Sequence, residues 1–345
     1  MATHPAAVDD GWMDIDIAAL ETAARDSHLS GVVTVDVGDD HVVERCYGYA
    51  HRAHRVPITR ATVFALASGS KIITALGALR LVETGRLRLT DAVRPILGDD
   101  LPLIDDGVTV EHLLGHASGI GDYLDEEADW EASDYVLTVP VHTLAQTEAF
   151  VPIIDGHPQV AAPGEGFSYN NGGYVVLALI IDRLSDVGFH AYVEREVCAR
   201  AGLTGTAYLR SDELPADAAL GYLFDEGDRS NVLHLPVRGN GDGGLYSTAD
   251  DLHRFWCGLV EGRIIGSDLV ETIITPRYAV PEEGLRHGLG CYLHATGPAI
   301  LVEGHDAGVS MRSIHEPATQ TTATVLANSS EGAWRVAGEL LRLFD

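Results

Sequence analysis

The sequence predicts an α/β protein whose sheet is assembled from both ends of the chain around a mostly helical middle. Three observations carry that expectation. Residues Leu29 to Tyr49 read as a β-meander: the β-branched run Gly31 to Val37, a Gly38-Asp-Asp40 turn, and a return from His41. The middle holds apolar residues at helical spacing, first between Phe64 and Thr84 and again before Leu184. Short strand candidates then recur at His287–His294, Ala299–Glu303, Val309–His315 and Thr322–Asn328, and an amphipathic helix closes the chain from Trp334 to Phe344. On this reading residues 1–75 and 240–345 form a discontinuous sheet domain, and 76–239 a mostly helical region whose loops shape a cleft.

Each element has a local reason. Ile72, Leu76, Leu79, Leu81 and Val82 recur at helical spacing, and Gly85 is the stop. Val110 to Leu114 is a helical turn ended by His116-Ala-Ser-Gly119. The run Asp122 to Asp134, with seven acids in thirteen residues, reads as a solvated loop. A long helix is expected from Gly172 or Gly173 to Leu184, and another from His190 to Ala201. Leu203 to Pro236 carries scattered Gly, Pro and Asp and reads as loops, and Gly239 to Gly244 as a flexible hinge. Thr248 caps a helix to about Leu259, with Asp250 and Asp251 in the first turn, where the helix dipole favours acids.

The 345 residues carry 23 basic and 51 acidic side chains, a net charge of −28. That balance argues against binding nucleic acid or an anionic membrane, both of which call for clustered cations. Apolar residues at 46% and charged residues at 21% are globular values. Cys46, Cys198, Cys257 and Cys291 lie far apart, which fits reduced thiols. Met1 to Asp16 has neither the basic nor the apolar region of a secretory signal, and the longest apolar run, Tyr174 to Ile181, is too short to span a bilayer. A cytoplasmic location is the expectation.

Every basic residue but one is arginine; the exception is Lys71. A chain biased toward arginine could keep one lysine by chance. It could also keep it because its proton must come off, which arginine does not allow. Ser68-Gly-Ser-Lys71 sets a hydroxyl and that amine three residues apart at a helix start, on one face. A serine is a poor nucleophile until a base takes its proton, and a desolvated lysine can be that base beside N–H groups that stabilise an oxyanion. Ser70 is a rival hydroxyl on another face. Tyr169-Asn-Asn171 follows the turn Pro163-Gly-Glu-Gly166. It fits a proton-passing tyrosine with a substrate-holding amide, or equally a tyrosine corner with a helix cap. Gly304-His-Asp-Ala-Gly308 lies between two strand candidates and fits a substrate-binding edge or a plain hairpin turn.

Taken in order, these segments resemble the serine β-lactamase and penicillin-binding-protein superfamily, in particular its class C-like branch of DD-carboxypeptidases, D-aminopeptidases and esterases. Ser68 to Lys71 matches S-x-x-K; Leu113-Leu-Gly-His-Ala-Ser-Gly119 is similar to LLxHxSG; Pro163-Gly164, Tyr169 and Asn171 are similar to PG…Y-x-N. Gly243 to Asp250 resembles GGlxSTaxD, His287 to Gly290 resembles YGLG, and Gly304, His305 and Gly308 resemble GHxGG.

The resemblance implies an antiparallel sheet with an all-helical region, a site in the cleft between them, and an acyl-serine mechanism without metal or cofactor. It implies Ser68 as nucleophile, and Lys71 and Tyr169 as the proton carriers. Asn171 would orient substrate and Lys71, and His305 would stand where K-T-G has lysine. The N–H groups of Ser68 and Gly308 would form the oxyanion hole. Ala307 replaces a usual glycine and would crowd the substrate strand, and Arg312 is the candidate cation for a substrate carboxylate. His116 with Ser118 lacks G-x-S-x-G spacing and reads as structural. The expected function is a serine hydrolase of small esters or amides. The alternatives are a D-amino-acid peptidase or DD-carboxypeptidase-like enzyme, and an inactive binding homologue. The expected partner is a small-molecule substrate, with no nucleic acid and no membrane.

Overall fold

A computed structural model describes residues 15–124, 134 and 136–345. Met1 and the rest of the segment read as lacking a signal, up to residue 14, lie outside the described residues, as does most of the acidic run, residues 125–133.

Eight antiparallel strands form the main sheet. They are β1 (Gly31–Val37), β2 (Asp40–Tyr47), β3 (Tyr278–Val280), β4 (Leu285–His287), β5 (Tyr292–His294), β6 (Ile300–Asp306), β7 (Val309–Glu316) and β8 (Thr321–Ala327). Their order is β2-β1-β8-β7-β6-β5-β4-β3, so the first strand of the chain pairs with the last, Gly31 opposite Ala327. The expected sheet from both chain ends is therefore present. Strands β1 and β8 are interior, paired on both sides, and buried on both faces, which suits their β-branched runs.

The period of two divides the sheet's side chains between two cores. Val32, Ile300, Val302, Met311 and Leu326 face a helical layer. Val33, Leu301, Ile314 and Val325 face α1 (Ile17–Asp26) and the C-terminal helix (Trp334–Leu341). In the helical layer α2 (Lys71–Glu83) packs on a helix from Asn171 to Leu184. Both are buried nearly all round, from Lys71 to Leu81 and from Asn171 to Ile181. Helices apolar on every side belong in a core, so the two N-termini are held from all directions. Between them in sequence lies α3 (Val110–Leu114), so the Asn171–Leu184 helix is α4, and after it come α5 (Ala249–Val260) and α6, the C-terminal helix Trp334–Leu341.

Several expectations need correction. The strand expected over His287–His294 is broken by the turn at Gly288–Gly290 into β4 and β5. The helix expected from His190 to Ala201 contains a π turn, Glu194–Cys198. Gly239 to Gly244 is not a hinge. A Cβ on Gly241 would lie 2.1 Å from the Tyr174 carbonyl oxygen, and one on Gly239 would lie 2.3 Å from that of Gly243. These glycines permit close packing of backbone on backbone rather than movement. Helix α1, capped by Asp16 accepting from the Ala19 N–H at 2.9 Å, was not anticipated. Among the described residues no helix is long and apolar enough to cross a membrane.

Candidate active site

Ser68 sits in a single 3₁₀ turn, Ala67–Ser70, that feeds directly into α2. Ala67 is held at φ +44°, a left-handed conformation costly for a residue with a Cβ and enforced here by the packing around it. Gly69 N–H closes the turn onto Leu66 O at 2.9 Å. The rival hydroxyl is fully committed: Ser70 Oγ donates to Ala67 O at 2.6 Å and accepts from Leu245 N–H at 3.0 Å. Ser68 is left facing two cavities, one on either side of it.

Lys71, 4% exposed, points back along α2 to that hydroxyl. Its Nζ lies 2.8 Å from Ser68 Oγ, 2.8 Å from Asn171 Oδ1 and 2.6 Å from the Asp242 carbonyl oxygen. The two asparagines expected to serve either as cap or as substrate holder divide the work. Asn170 caps α4, accepting from Gly173 N–H at 2.6 Å, and Asn171 turns its oxygen to Lys71. The Tyr169 ring centroid is 4.9 Å from Lys71 Nζ. Its other face stacks on His116, centroids 4.4 Å apart. His116 Nδ1 accepts from Asn170 N–H at 3.0 Å, and complete burial, with His287 and Lys71 nearby, holds the imidazole well below its usual range. A neutral ring therefore props Tyr169.

Two residues of the acidic run's near end were missed by the sequence reading. Asp122 accepts from Asn171 N–H at 2.6 Å and from Gly172 N–H at 2.9 Å, so it caps the helix that delivers Asn171. Tyr123 OH donates to Asp242 Oδ2, whose own carbonyl holds Lys71. An acid three residues past the Ser118-Gly119 helix stop and ahead of a helix with no acid in its first turn was the available signal. Burial pushes the Asp122 carboxyl up to about 6, against the pull of its N–H donors. Its folded pKa is thus above its unfolded value of 3.8. Its contribution to stability is then fully present below the unfolded pKa and lost as pH rises through about 6. Denaturant melts should show the stability gap between wild type and Asp122→Asn widening from pH 7 to pH 4. A gap independent of pH would contradict this.

The third segment differs most from expectation. The glycine lying against the Ser68 turn is Gly304, since a Cβ there would sit 2.1 Å from Leu66 O and 2.9 Å from Gly69 N. Counting K-T-G back from Gly304 puts buried, apolar Val302 at the cation position. His305 is one residue out of phase, so its side chain lies on the other face of the sheet, 3.2 Å from Glu331 and against Trp334. In this register it does not stand in for the lysine. Gly308 does not face Ser68 either. It sits at φ +71° in the β6–β7 turn and donates its N–H to Ser330 Oγ at 2.9 Å. Ala307 is buried in the same turn, its carbonyl accepting from Asn231, and does not crowd the cleft.

His305, next to the Gly304 that lies against the Ser68 turn, lines both cavities with Ser68. Asp306 and Val309 flank a two-residue turn and so form the hydrogen-bonded pair nearest to it. His305 then directs its N–H away from β7, along the edge that β5 covers only at Ile300 and Leu301. Arg312 donates from Nε to Glu303 at 2.9 Å across β6 and β7, both side chains largely buried. It is already neutralised.

The larger cavity, about 1250 Å³, opens toward Tyr169, Tyr278 and Trp334; the smaller, about 220 Å³, runs under residues 231–246. Among the described lining residues the acids are Asp122, Asp242, Asp306, Glu282, Glu283, Glu303 and Glu331, and the one arginine is Arg312.

A sequence profile of the Beta-lactamase family matches residues 17–344. Penicillin-binding protein 4* of Bacillus subtilis is 29% identical over 305 residues, 84% of this chain and 65% of that protein. The chain spans less than two thirds of that relative and of a putative penicillin-binding protein of the same organism, at 62%. Esterase EstB of Burkholderia gladioli is 28% identical over 69% of this chain and 67% of its own. A crystal structure of a penicillin-binding protein from Bacillus halodurans superposes with a TM-score of 0.87 at 35% identity, covering 94% of this chain and all of that one.

Proposed function

The chain belongs to the beta-lactamase family, and from that premise we propose that it is a serine hydrolase cleaving small esters or amides through an acyl-serine. The observation that carries the reading is the 2.8 Å approach of Lys71 Nζ to Ser68 Oγ. A neutral amine has two N–H bonds and one lone pair. Lys71 Nζ donates to Asn171 Oδ1 and to the Asp242 carbonyl, which hold the amine beside Ser68 Oγ, where its neutral form has a lone pair to take the serine proton. Ser68 Oγ then attacks the carbonyl carbon as its proton passes to Lys71. The oxyanion is held by the N–H groups of Ser68 and His305. Lys71, with Tyr169, returns the proton to the leaving oxygen or nitrogen as that bond breaks. Water repeats the sequence on the acyl-enzyme, restoring Ser68.

The cleft's charge supports neutral or amine-bearing substrates. A DD-carboxypeptidase or β-lactamase role needs a cation for the substrate carboxylate, but Val302 fills the third-motif position and Arg312 is paired with Glu303. Glu282, Glu283 and Glu331 around the larger cavity favour, as a second reading, amides of D-amino acids with a free amine. A D-amino acid amidase shares the fold, with a TM-score of 0.77 at 22% identity.

Incubation with an activated acyl ester, followed by intact mass, should show one acyl adduct and product release in wild type and neither in Ser68→Ala. A folded wild-type protein that forms no adduct with any of several acyl groups would point instead to a binding protein. A D-over-L preference among amino-acid amides would establish the second reading.

A further inference from the structure

Ser68 and His305 line both cavities, but Tyr169 lines the larger and not the smaller, and Asn171 the smaller and not the larger. That asymmetry gives the substrate a direction. Tyr169 works with Lys71 on the proton that goes to the leaving oxygen or nitrogen, so the leaving group belongs on the Tyr169 side, in the cavity of about 1250 Å³. The acyl chain lies on the opposite side of the carbonyl carbon. It then enters the cavity of about 220 Å³ under residues 231–246.

The smaller cavity has the walls for an aliphatic chain. Leu209, Val232, Leu235, Pro236 and Val237 line it. The segment 232–237 is apolar but for His234, although it forms neither helix nor strand. Its ends are pinned. Asn231 Nδ2 donates to Ala307 O at 2.8 Å, Val237 N–H to Val141 O at 3.1 Å, and Ser211 N–H to Val237 O at 2.8 Å. The Asn240 amide and the Ser211 hydroxyl are buried behind the lining, out of a ligand's reach. A chain ending in a carboxylate would meet Asp242 and Asp306, with no lysine or arginine among the described lining residues. At ~30 Å³ for a water-sized group, the volume holds about seven such groups.

We propose that the smaller cavity takes the acyl part of the substrate as a short, uncharged aliphatic chain, while the larger cavity takes the leaving group. The inference rests on the hydrolase reading. Each methylene moved from water onto these walls is worth about 0.8 kcal/mol, or about fourfold in rate when the gain is held in the transition state. That gain ends where the pinned walls end, about six or seven carbons beyond the carbonyl. The amino-acid amide reading turns the acyl group the other way, toward Glu282 and Glu331 of the larger cavity, so the two readings predict different responses to the same wall changes.

The test measures kcat/KM for p-nitrophenyl esters from acetyl to dodecanoyl, for the hemiglutarate ester and its uncharged isostere 5-methylhexanoate, and for acetates of progressively bulkier phenols. The expected result is a rise of up to about fourfold per methylene to an optimum near hexanoyl or octanoyl and none beyond it, with the hemiglutarate at least about tenfold below its isostere. Leu209→Trp and Leu235→Trp replace half-buried wall residues with larger ones. Each should move the acyl optimum to a shorter chain without reordering the phenol series. The wild-type profile decides the matter even if neither variant folds. Turnover with no dependence on acyl length, or wall variants that reorder the phenol series instead, would overturn the pocket assignment alone. No turnover of any ester, and no fluorophosphonate adduct on Ser68, would overturn the hydrolase reading and the pocket with it.

Discussion

Lys71→Arg should lower kcat for an activated ester by about 10²–10⁴-fold, the range ordinarily contributed by a positioned general base, and Lys71→Ala by a similar factor. Arginine keeps a positive charge near Ser68 and can still donate to Asn171 Oδ1 and Asp242 O, but it does not give up a proton. If the amine served only as a fixed charge, Lys71→Arg would retain most of the activity. The pH profile gives a second, independent reading. Without a base, Ser68 reacts only through its alkoxide, so the residual rate of Lys71→Ala should climb about tenfold per pH unit across the alkaline range, since each unit multiplies the small alkoxide fraction by ten. Wild type should level off once the amine is neutral. A Lys71→Ala enzyme with a flat profile, or a fully active Lys71→Arg, would remove Lys71 from the base role. Intact mass separates this loss from unfolding, because a folded variant remains soluble and monodisperse while failing to acquire the acyl adduct.

The fold and the Ser68–Lys71 pair were legible for a common reason: both rest on short-range pattern. A β-branched run such as Gly31 to Val37 can be buried on both faces only inside a sheet, and the three-residue spacing at a helix start puts two side chains on one face whatever surrounds them. Helix α1 was missed because its buried face is made of Leu20, Ala23 and Ala24, and two alanines give little contrast with a loop. Asp122 was read as solvated with its neighbours because composition averages over the run; what distinguishes it is the end of α4, some fifty residues downstream. The Gly239–Gly244 segment shows the same limit in reverse. Glycine permits freedom in an isolated chain, but here it is required because the Tyr174 and Gly243 carbonyls come too close for a Cβ. The third motif failed on register. The letters of Gly304-His-Asp-Ala-Gly308 suit a pattern beginning at His305, but a strand shows alternate residues to opposite faces, so a displacement by an odd number of residues exchanges the faces. Only the position of the Ser68 turn against the strand, at Gly304, decides which residue faces the chemistry.

That decision is open to a paired experiment on the two glycines. Gly304→Ala should cost both stability and turnover. Gly304 has no left-handed φ to preserve, so alanine brings no backbone strain of its own, and the whole effect comes from contact. The added Cβ would meet Leu66 O at 2.1 Å and Gly69 N at 2.9 Å, both backbone atoms that no rotamer change can move aside. Strand β6 must therefore back away from the turn that carries Ser68. Overpacking of this kind costs typically about 1–3 kcal/mol, and a displacement of about 1 Å between nucleophile and oxyanion donors can cost on the order of 100-fold in rate. Gly308→Ala should destabilise as well, through φ +71° and a Cβ 2.7 Å from Tyr222 N. Its strain falls at the β6–β7 turn, where the N–H serves Ser330 Oγ, so turnover per folded molecule should stay close to wild type. Titrating active sites with a fluorophosphonate normalises both variants to folded enzyme. If Gly308→Ala loses turnover and Gly304→Ala keeps it, the motif is in the register its letters suggest, and His305, not Val302, occupies the cation position.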